Sequence, residues 1–276
     1  MKVAFWSNSS GRAGTTSNMA CISVICSLLN KKSILFENHY SLNGLDQALV
    51  NRKKSPVALL REEFSFYDPI GIDALLRRIH SNHTYEQLME DISMKFLDDK
   101  LYYLPKNVNL NQEYFEYELN QVIKPLMEYL DKRFDLVFID TAANDVLSTK
   151  TILEEADLVV ANLCQNKAVL EHFFTNYASI IDKSVILIGN YQEQSRFHLR
   201  NIRRRYQITK EQVGMIPFNM EFADAASSGR LVEFLVRNFS CQKQDENYSF
   251  IYQAKRAANM ILAQLEDREV CVESGC

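Results

Sequence analysis

Short runs of consecutive apolar residues recur along the chain and predict buried β-strands. They cover residues 3–6, 33–36, 101–105, 134–140, 157–163, 184–190 and 213–217. Strands that are apolar at nearly every position are covered on both faces, as in a parallel sheet packed between helices. The run at 134–140 is the clearest, and it ends in the carboxylate of Asp140.

Between these runs, apolar residues recur every three or four positions and predict amphipathic helices. The predicted helices cover residues 16–29, 69–79, 84–96, 114–133, 147–156, 168–181, 195–206, 223–239 and 248–265. Pro125 predicts a kink in the helix at 114–133, because proline removes a backbone donor. The alternation of strands and helices predicts one α/β domain over residues 1–276, with a mostly parallel sheet and helices on both faces.

The composition is that of a globular protein. Of the 276 residues, 47% are hydrophobic and 24% are charged, which excludes a disordered chain, a collagen and a coiled-coil rod. The formal net charge of −4 argues against extensive coating of nucleic acid. The six cysteines include no CxxC pair, and the apolar surroundings of Cys21, Cys26 and Cys164 favour a reducing compartment. No apolar run reaches the roughly 18 to 20 residues that span a bilayer, and no signal peptide is recognised, so a cytoplasmic protein without a transmembrane segment is predicted.

The loop after the first predicted strand has the composition of a phosphate-binding turn. It contains Gly11 and Gly14, and Thr15, Thr16 and Ser17 follow at the start of the first helix. Backbone N–H groups converge in such a turn, and the helix dipole favours an anion there. A standard P-loop would carry a lysine where Thr15 stands. A strand-to-helix turn without any ligand is therefore the alternative.

Four segments in the same order resemble the ParA/MinD family of deviant P-loop ATPases. The run from Ser10 to Ser17 is in register with the family's K-G-G-x-G-K-T-T loop. The strand that ends at Asp140 matches the family's strand ending in aspartate, and the strand that ends at Asn190 matches the one facing the base. The segment with Pro217 resembles the family's Ile-Pro segment. Within the family, the chain looks nearest to the TadZ/CpaE branch, which places pilus machinery at a cell pole.

The resemblance implies that the chain binds ATP and Mg²⁺. It places the adenine beside Asn190 and Pro217, and the metal beside Thr16 and Asp140. It gives catalytic roles to Asp140 and to Glu37, which ends the second predicted strand. The phosphates would then be held by the first loop, through Gly11, Arg12, Ala13, Gly14, Thr15, Thr16 and Ser17.

These residues also have interpretations without a ligand. Arg12 is equally well explained as a solvated loop residue, and Thr16 as a first-turn residue of a helix. Asn190 and Pro217 are common turn residues at strand ends. Near the end of the second strand, His39 is expected to be a surface residue.

The first loop departs from the family at both of its lysines. Thr15 replaces the lysine that would contact the β- and γ-phosphates, and Ser10 replaces the one that would reach the phosphates of a partner subunit. Without these cations, the charge that develops during phosphoryl transfer is poorly stabilised. We expect at most a weak Mg-dependent ATPase, with Arg12 as the one basic residue of the loop that can compensate.

The resemblance implies a dimerising positioning or assembly factor with protein partners in a pilus or secretion machine. It would be recruited to the cell pole or to the inner membrane face. One alternative is a pseudo-ATPase scaffold that acts only through protein partners. Another is a ParA-like DNA-segregation ATPase, for which Arg196, Arg200 and Arg203 would share one face of a basic helix.

Overall fold

A computed structural model of the chain describes residues 1–39, 44–51, 71–72, 74–75, 92–106, 112–143 and 146–274. In this part of the chain, eight β-strands form one sheet. They are β1 (Lys2–Trp6), β2 (Ser33–Glu37), β3 (Met94–Phe96), β4 (Leu101–Tyr103), β5 (Leu136–Asp140), β6 (Leu158–Leu163), β7 (Ser184–Tyr191) and β8 (Val213–Pro217).

The sheet is parallel except at one edge. Its strand order is β3-β4-β2-β5-β1-β6-β7-β8, and only β3 runs antiparallel to its neighbour. Strand β1 lies in the middle, where Phe5 is opposite Asp140 of β5 and Val160 of β6. The predicted α/β fold with a mostly parallel sheet is confirmed.

The helices lie on both faces of the sheet. They are α1 (Thr15–Leu28), α2 (Leu45–Leu49), α3 (Gln112–Asp131), α4 (Leu147–Glu155), α5 (Lys167–Asn176), α6 (Ala178–Ile181), α7 (Leu199–Tyr206), α8 (Met220–Ser227), α9 (Leu231–Asn238) and α10 (Tyr248–Ser274).

Alternate residues of β1 face opposite sides of the sheet, as the pleat requires. Phe5 belongs to the core shared with α1 and α10. Ala4 belongs to the core beneath α3, and Trp6 to the core beneath α5. Helix α1 is enclosed between the sheet and the last helices, so that residues 18–27 are all buried. This helix therefore has a fixed position relative to the strand ends.

The region between β2 and α3 departs most from the sequence prediction. The predicted helix at 84–96 is wrong at its end, which forms β3. There Lys95 is exposed between two half-buried apolar neighbours, which suits an edge strand. Helix α2 lies in a polar stretch where no helix was predicted. Of the predicted helix at 69–79, the structure describes residues 71–72 and 74–75, and Ile72, Ala74 and Leu75 are helical. Most of the predicted helix at 84–96 lies outside the described residues.

Three predicted helices, at 168–181, 223–239 and 248–265, differ from their predicted bounds. The stretch 223–239 forms two helices, because Gly229 has a φ of 68° and packs on the Val50 carbonyl, where a Cβ would lie 2.1 Å from the oxygen. The stretch 168–181 also divides in two, at Tyr177, whose ring centroid is 4.7 Å from that of Trp6. Helix α10 continues to Ser274, beyond the predicted end.

Candidate functional site

The carboxyl ends of the parallel strands meet at one edge of the sheet, where ligands of open α/β sheets bind. Because β5 is the neighbour of β1, Asp140 lies beside the loop that leaves β1. Glu37, the last residue of β2, is opposite Asp140 on the other side of β5. The folding of the chain therefore brings the first loop together with the two predicted acidic residues.

The β1–α1 loop (residues 7–14) is shaped by two glycines. Gly11 and Gly14 adopt left-handed backbone conformations, with φ of 70° and 66°. Gly14 immediately precedes α1, and no side chain caps this 14-residue helix among the described residues. The first-turn N–H groups thus have no side-chain acceptor, and such a helix start attracts an anion.

Contacts behind the loop hold it in place. The side-chain amide of Asn18 donates to the Ala13 carbonyl at 3.0 Å and to Oδ1 of Asn162 at 3.1 Å. Gly189 of β7 packs on the same carbonyl, so closely that a Cβ would lie 1.9 Å from the Ala13 oxygen. No sequence motif marks Asn18 or Gly189, so neither was predicted as a residue of the site.

Thr16 and Asp140 form the closest polar contact of the site. The Thr16 hydroxyl donates to Oδ2 of Asp140 at 2.5 Å, and Asp140 is only 1% exposed. Hydroxyl and carboxylate oxygens are the kind of ligand that Mg²⁺ takes. The two residues predicted to hold a metal therefore lie in direct contact.

His39 also lies in the site, and the expectation that it is a surface residue is wrong. Its Nε2 is 3.1 Å from Oδ2 of Asp140, and its side chain is 16% exposed. The same carboxylate oxygen thus contacts both Thr16 and His39. Nδ1 of His39 is buried and has no hydrogen-bond partner among the described residues. The one signal that could have indicated His39 is its position two residues after Glu37, at the same strand end.

The carboxylate of Glu37 is engaged by a buried lysine. Lys106 Nζ donates to Oε1 of Glu37 and to the His39 carbonyl, both at 2.7 Å. Oε2 accepts from the Leu45 N–H at 3.1 Å and from the Tyr103 hydroxyl at 3.3 Å. We call this arrangement the Glu37–Lys106 clamp. It ties β2 to β4 and α2, and the catalytic role of Glu37 stays a prediction.

Burial and charge oppose each other at the two ionisable groups of the β2 end. Burial raises the pKa of Glu37, although Lys106 and His39 partly offset the shift. At His39, burial disfavours the charged imidazolium, but the hydrogen bond and charge of Asp140, helped by Glu37, outweigh it and raise the pKa. Asp140 therefore favours a cation at the position of the imidazole.

Asn38 links the end of β2 to the segment that follows Asp140. Its side-chain amide donates to the hydroxyls of Ser148 and Thr149, both at 3.2 Å. Its Oδ1 accepts from the Ala142 N–H at 2.7 Å. The Asn38 N–H donates to the Asp140 carbonyl at 3.1 Å. The start of α4 is thereby fixed against the site.

The residues predicted to contact adenine lie at the ends of β7 and β8. Asn190 is exposed and has a φ of 48°, and its amide nitrogen would lie 3.7 Å from a Cβ placed on Gly14. Pro217 is paired with Tyr191. Pro217 borders a cleft of about 350 Å³ whose lining comprises Tyr191, Gln192, Glu193, Gln194, Met215, Pro217, Phe218 and Ser249. Asn190 therefore faces the loop, whereas Pro217 belongs to the adjoining cleft.

The arginines with predicted roles lie in the β1–α1 loop and around α7. Arg12 is exposed in the β1–α1 loop. It lies near Cys164, where burial raises the thiol pKa and the Arg12 charge opposes the shift. Helix α7 begins only after Arg196, so the predicted three-arginine helix face is wrong. Arg203 is half-buried, whereas Arg200 is exposed.

Comparison with solved structures defines the class of fold. No protein-family model matches the sequence, and no curated protein matches it either. The chain is similar to a ParA family ATPase from Chlorobium tepidum TLS, with 12% identity, a TM-score of 0.67, and coverage of 94% of this chain and 98% of the other. It is similar to the septum site-determining protein MinD of Pyrococcus horikoshii OT3 complexed with Mg-ADP, with 12% identity, a TM-score of 0.62, and coverage of 96% and 99%.

A third similar structure is a putative plasmid partition protein of Borrelia burgdorferi B31 bound to AMPPNP. Here the identity is 14%, the TM-score is 0.60, and the coverage is 95% of this chain and 98% of the other. The chain therefore has the fold of the MinD and ParA ATPases, as the sequence resemblance predicted. Among the helices that the structure describes, none combines the length and the apolar character needed to cross a membrane.

Proposed function

We propose that the chain is an ATP-binding, dimerising positioning or assembly factor of the ParA/MinD type. The observation that carries this proposal is the contact between Thr16 and Asp140, at 2.5 Å, beside the uncapped start of α1. Two proteins of the same fold are bound to Mg-ADP and to AMPPNP, which supports ATP and Mg²⁺ as the ligands here.

The donors of this edge fit a nucleotide with its metal. Thr16 and Asp140 offer oxygen ligands to Mg²⁺, and the first-turn N–H groups of α1 offer donors to phosphate. Arg12 supplies a positive charge in the loop, and Asn190 faces the loop from β7. When bound, the ion would withdraw charge from the phosphoryl oxygens. The protein residues hold and orient the nucleotide.

Hydrolysis is proposed to be weak or absent. Ser10 and Thr15 offer hydroxyls where the resemblance leads one to expect lysines. Phosphoryl transfer depends on cations that stabilise developing charge, and loss of one such contact typically costs about 10²-fold or more in rate. The bound nucleotide would therefore act mainly by controlling the association of the protein, and little of it would be hydrolysed.

Exposed apolar side chains near the site support a homodimer or a protein partner at this edge. Leu147 begins the helix after β5 and is 59% exposed, and Phe218 and Met220, which follow β8, are 48% and 63% exposed. Large apolar side chains exposed at such a surface are candidates for protein contacts. The nearest functional model is TadZ/CpaE, in which such a factor locates pilus machinery at a cell pole.

Calorimetry with Mg·ATP tests the proposal. We expect saturable binding that weakens about tenfold or more in Thr16→Val, equivalent to roughly 1.4 kcal/mol. Thr175→Val is the matched control, because Thr175 is an exposed threonine of α5 that has no part in the proposed site. Absence of binding at millimolar ATP would reject the proposal and favour a scaffold that binds no nucleotide.

A further inference from the structure

Three potential metal-ligating side chains meet at the ends of β2 and β5. Ligand atoms of Glu37, His39 and Asp140 all lie within 4.8 Å of one another. His39 and Asp140 are in contact at 3.1 Å, and Thr16 adds a hydroxyl 2.5 Å from the same carboxylate oxygen. A nitrogen donor thus lies directly beside the oxygen donors proposed for the metal.

Glu37 is not available as a metal ligand. One of its oxygens is bonded to Lys106, and the other accepts from Leu45 and Tyr103. A metal at Glu37 would have to displace the lysine from a buried ion pair, which is costly because one buried charge then loses its partner. The donors left are the Thr16 hydroxyl, the Asp140 carboxylate and the His39 imidazole.

His39 is held in place by its own backbone. Its carbonyl accepts from Lys106 at 2.7 Å, so the Glu37–Lys106 clamp fixes the residue while the ring reaches Asp140. Two atoms bound to one small divalent ion at adjacent positions lie about 3 Å apart, since each metal–ligand bond is about 2.1 Å. The 3.1 Å between Nε2 and Oδ2 matches that separation.

We propose that Nε2 of His39 is a direct ligand of the divalent ion held by Thr16 and Asp140, and that it shifts the preference of the site from Mg²⁺ towards Co²⁺ or Zn²⁺. The inference rests on the proposed function for the location of the metal. Imidazole suits zinc and similar first-row ions, whereas Mg²⁺ prefers oxygen ligands and water. A neutral imidazole donor also brings no negative charge to attract Mg²⁺.

The first test compares two metals in matched variants. Untagged, chelator-treated protein is titrated with Co²⁺ and with Mg²⁺, each in the presence and absence of ADP. His39→Gln keeps an amide donor for Asp140 but removes the imidazole. We expect it to weaken Co²⁺ binding about tenfold or more, roughly 1.4 kcal/mol, and to leave Mg²⁺ binding nearly unchanged. His198→Gln, a histidine before α7, should change neither affinity.

A spectroscopic measurement detects the ligand itself. Mn²⁺ is added to the chain, and pulsed electron paramagnetic resonance records magnetic coupling to nitrogen. We expect a ¹⁴N coupling typical of imidazole in the wild type and in His198→Gln, and none in His39→Gln. A second variant, His39→Asp, supplies an oxygen ligand in place of nitrogen and should shift the preference towards Mg²⁺.

The outcomes separate this inference from the proposed function. Mg·ATP binding with equal effects of His39→Gln on Co²⁺ and Mg²⁺, or an unchanged nitrogen coupling, overturns the role of His39 and leaves the proposed function intact. Co²⁺ binding through His39 in a chain with no affinity for nucleotide supports the metal ligand and rejects the proposed function. Failure to bind any of these ions rejects the inference.

Discussion

The conformation of the β1–α1 loop depends on residues that pack against it as well as on residues within it. Its Ala13 carbonyl is fixed by the amide of Asn18 and by close packing on Gly189. No other residue type fits at Gly189 without a shift of the backbone, because the nearest atom to an added Cβ is the carbonyl oxygen. The shape of the loop is thus set partly by β7.

Gly189→Ala tests this dependence. The added methyl group would approach the Ala13 oxygen to 1.9 Å, so the loop must move, and we expect loss of Mg·ATP binding at concentrations that saturate the wild type. The control is Gly214→Ala on β8, where the nearest atom is the flexible methyl of Met260 at 3.2 Å. Both variants are compared by calorimetry and circular dichroism. Full affinity in Gly189→Ala would show that the loop is not positioned by this contact.

Residues of the site were predictable where they follow a strand or belong to a short motif. Asp140 and Asn190 each lie at the end of an apolar run, and Thr16 begins a helix after a glycine-rich turn. Lys106 was missed because its partner Glu37 is 69 residues away. Asn18 was missed because one of its two partners, Asn162, is 144 residues away. His39 was predicted to lie at the surface because the local sequence around a polar residue after a strand is the same whether the residue lies at the surface or in a site.

At the scale of secondary-structure elements, the Glu37–Lys106 clamp joins β2, β4 and α2. Lys106 and Glu37 side chains are 6% and 0% exposed. Removing one partner of a buried ion pair typically costs about 3–5 kcal/mol, whereas replacing both by neutral groups costs much less. The clamp is therefore expected to act as one unit.

Lys106→Met measures how much the Glu37–Lys106 clamp contributes to the stability of the fold. We expect its free energy of unfolding to fall by about 3–5 kcal/mol in urea denaturation, because the Glu37 carboxylate stays buried without its cation. The double variant Glu37→Gln with Lys106→Met should recover part of the loss. Lys124→Met, which removes an exposed ion pair with Glu155, serves as the control and should change stability little. Additive losses in the double variant would contradict coupling within the clamp.

The strands were predicted better than the helices for a physical reason. A buried strand is apolar at nearly every position, and each of the seven runs identified in the sequence contains a strand. Helix breaks at Gly229 and Tyr177 depend instead on contacts with Val50 and Trp6, which lie far away in sequence. Strand β3 was not predicted, because three residues at a sheet edge are too few to show a distinct hydrophobic period.

At the scale of the whole molecule, the candidate nucleotide site and exposed apolar residues share one edge. Met220 follows β8 and is 63% exposed. If subunits associate through this edge, a charge at Met220 would have to be desolvated in the interface, which disfavours association. Nucleotide binding in the separate subunit would not need that step.

Met220→Glu therefore separates dimerisation from nucleotide binding. We expect sedimentation to show an ATP-dependent dimer in the wild type and a monomer in the variant, with ATP affinity of the variant within a few-fold of normal. Tyr117→Glu is the control, since Tyr117 is 62% exposed on α3. A dimer that persists in Met220→Glu would place the partner surface elsewhere, and a wild-type chain that stays monomeric with ATP would reject the proposed dimerisation.

The enclosure of α1 has a thermodynamic consequence. The helix whose first turn faces the proposed phosphates is also the one sealed between the sheet and α10, with Cys21 and Cys26 fully buried and the pKa of Cys26 raised to about 12 by that burial. The start of such a helix cannot be rearranged while its middle stays packed. A ligand bound there therefore selects the native state as a whole over the unfolded one. Ligand concentration and resistance to global unfolding are then linked: saturating ligand raises the free energy of unfolding, and it offsets part of the loss caused by a substitution deep in the α1 core, although that residue touches no ligand.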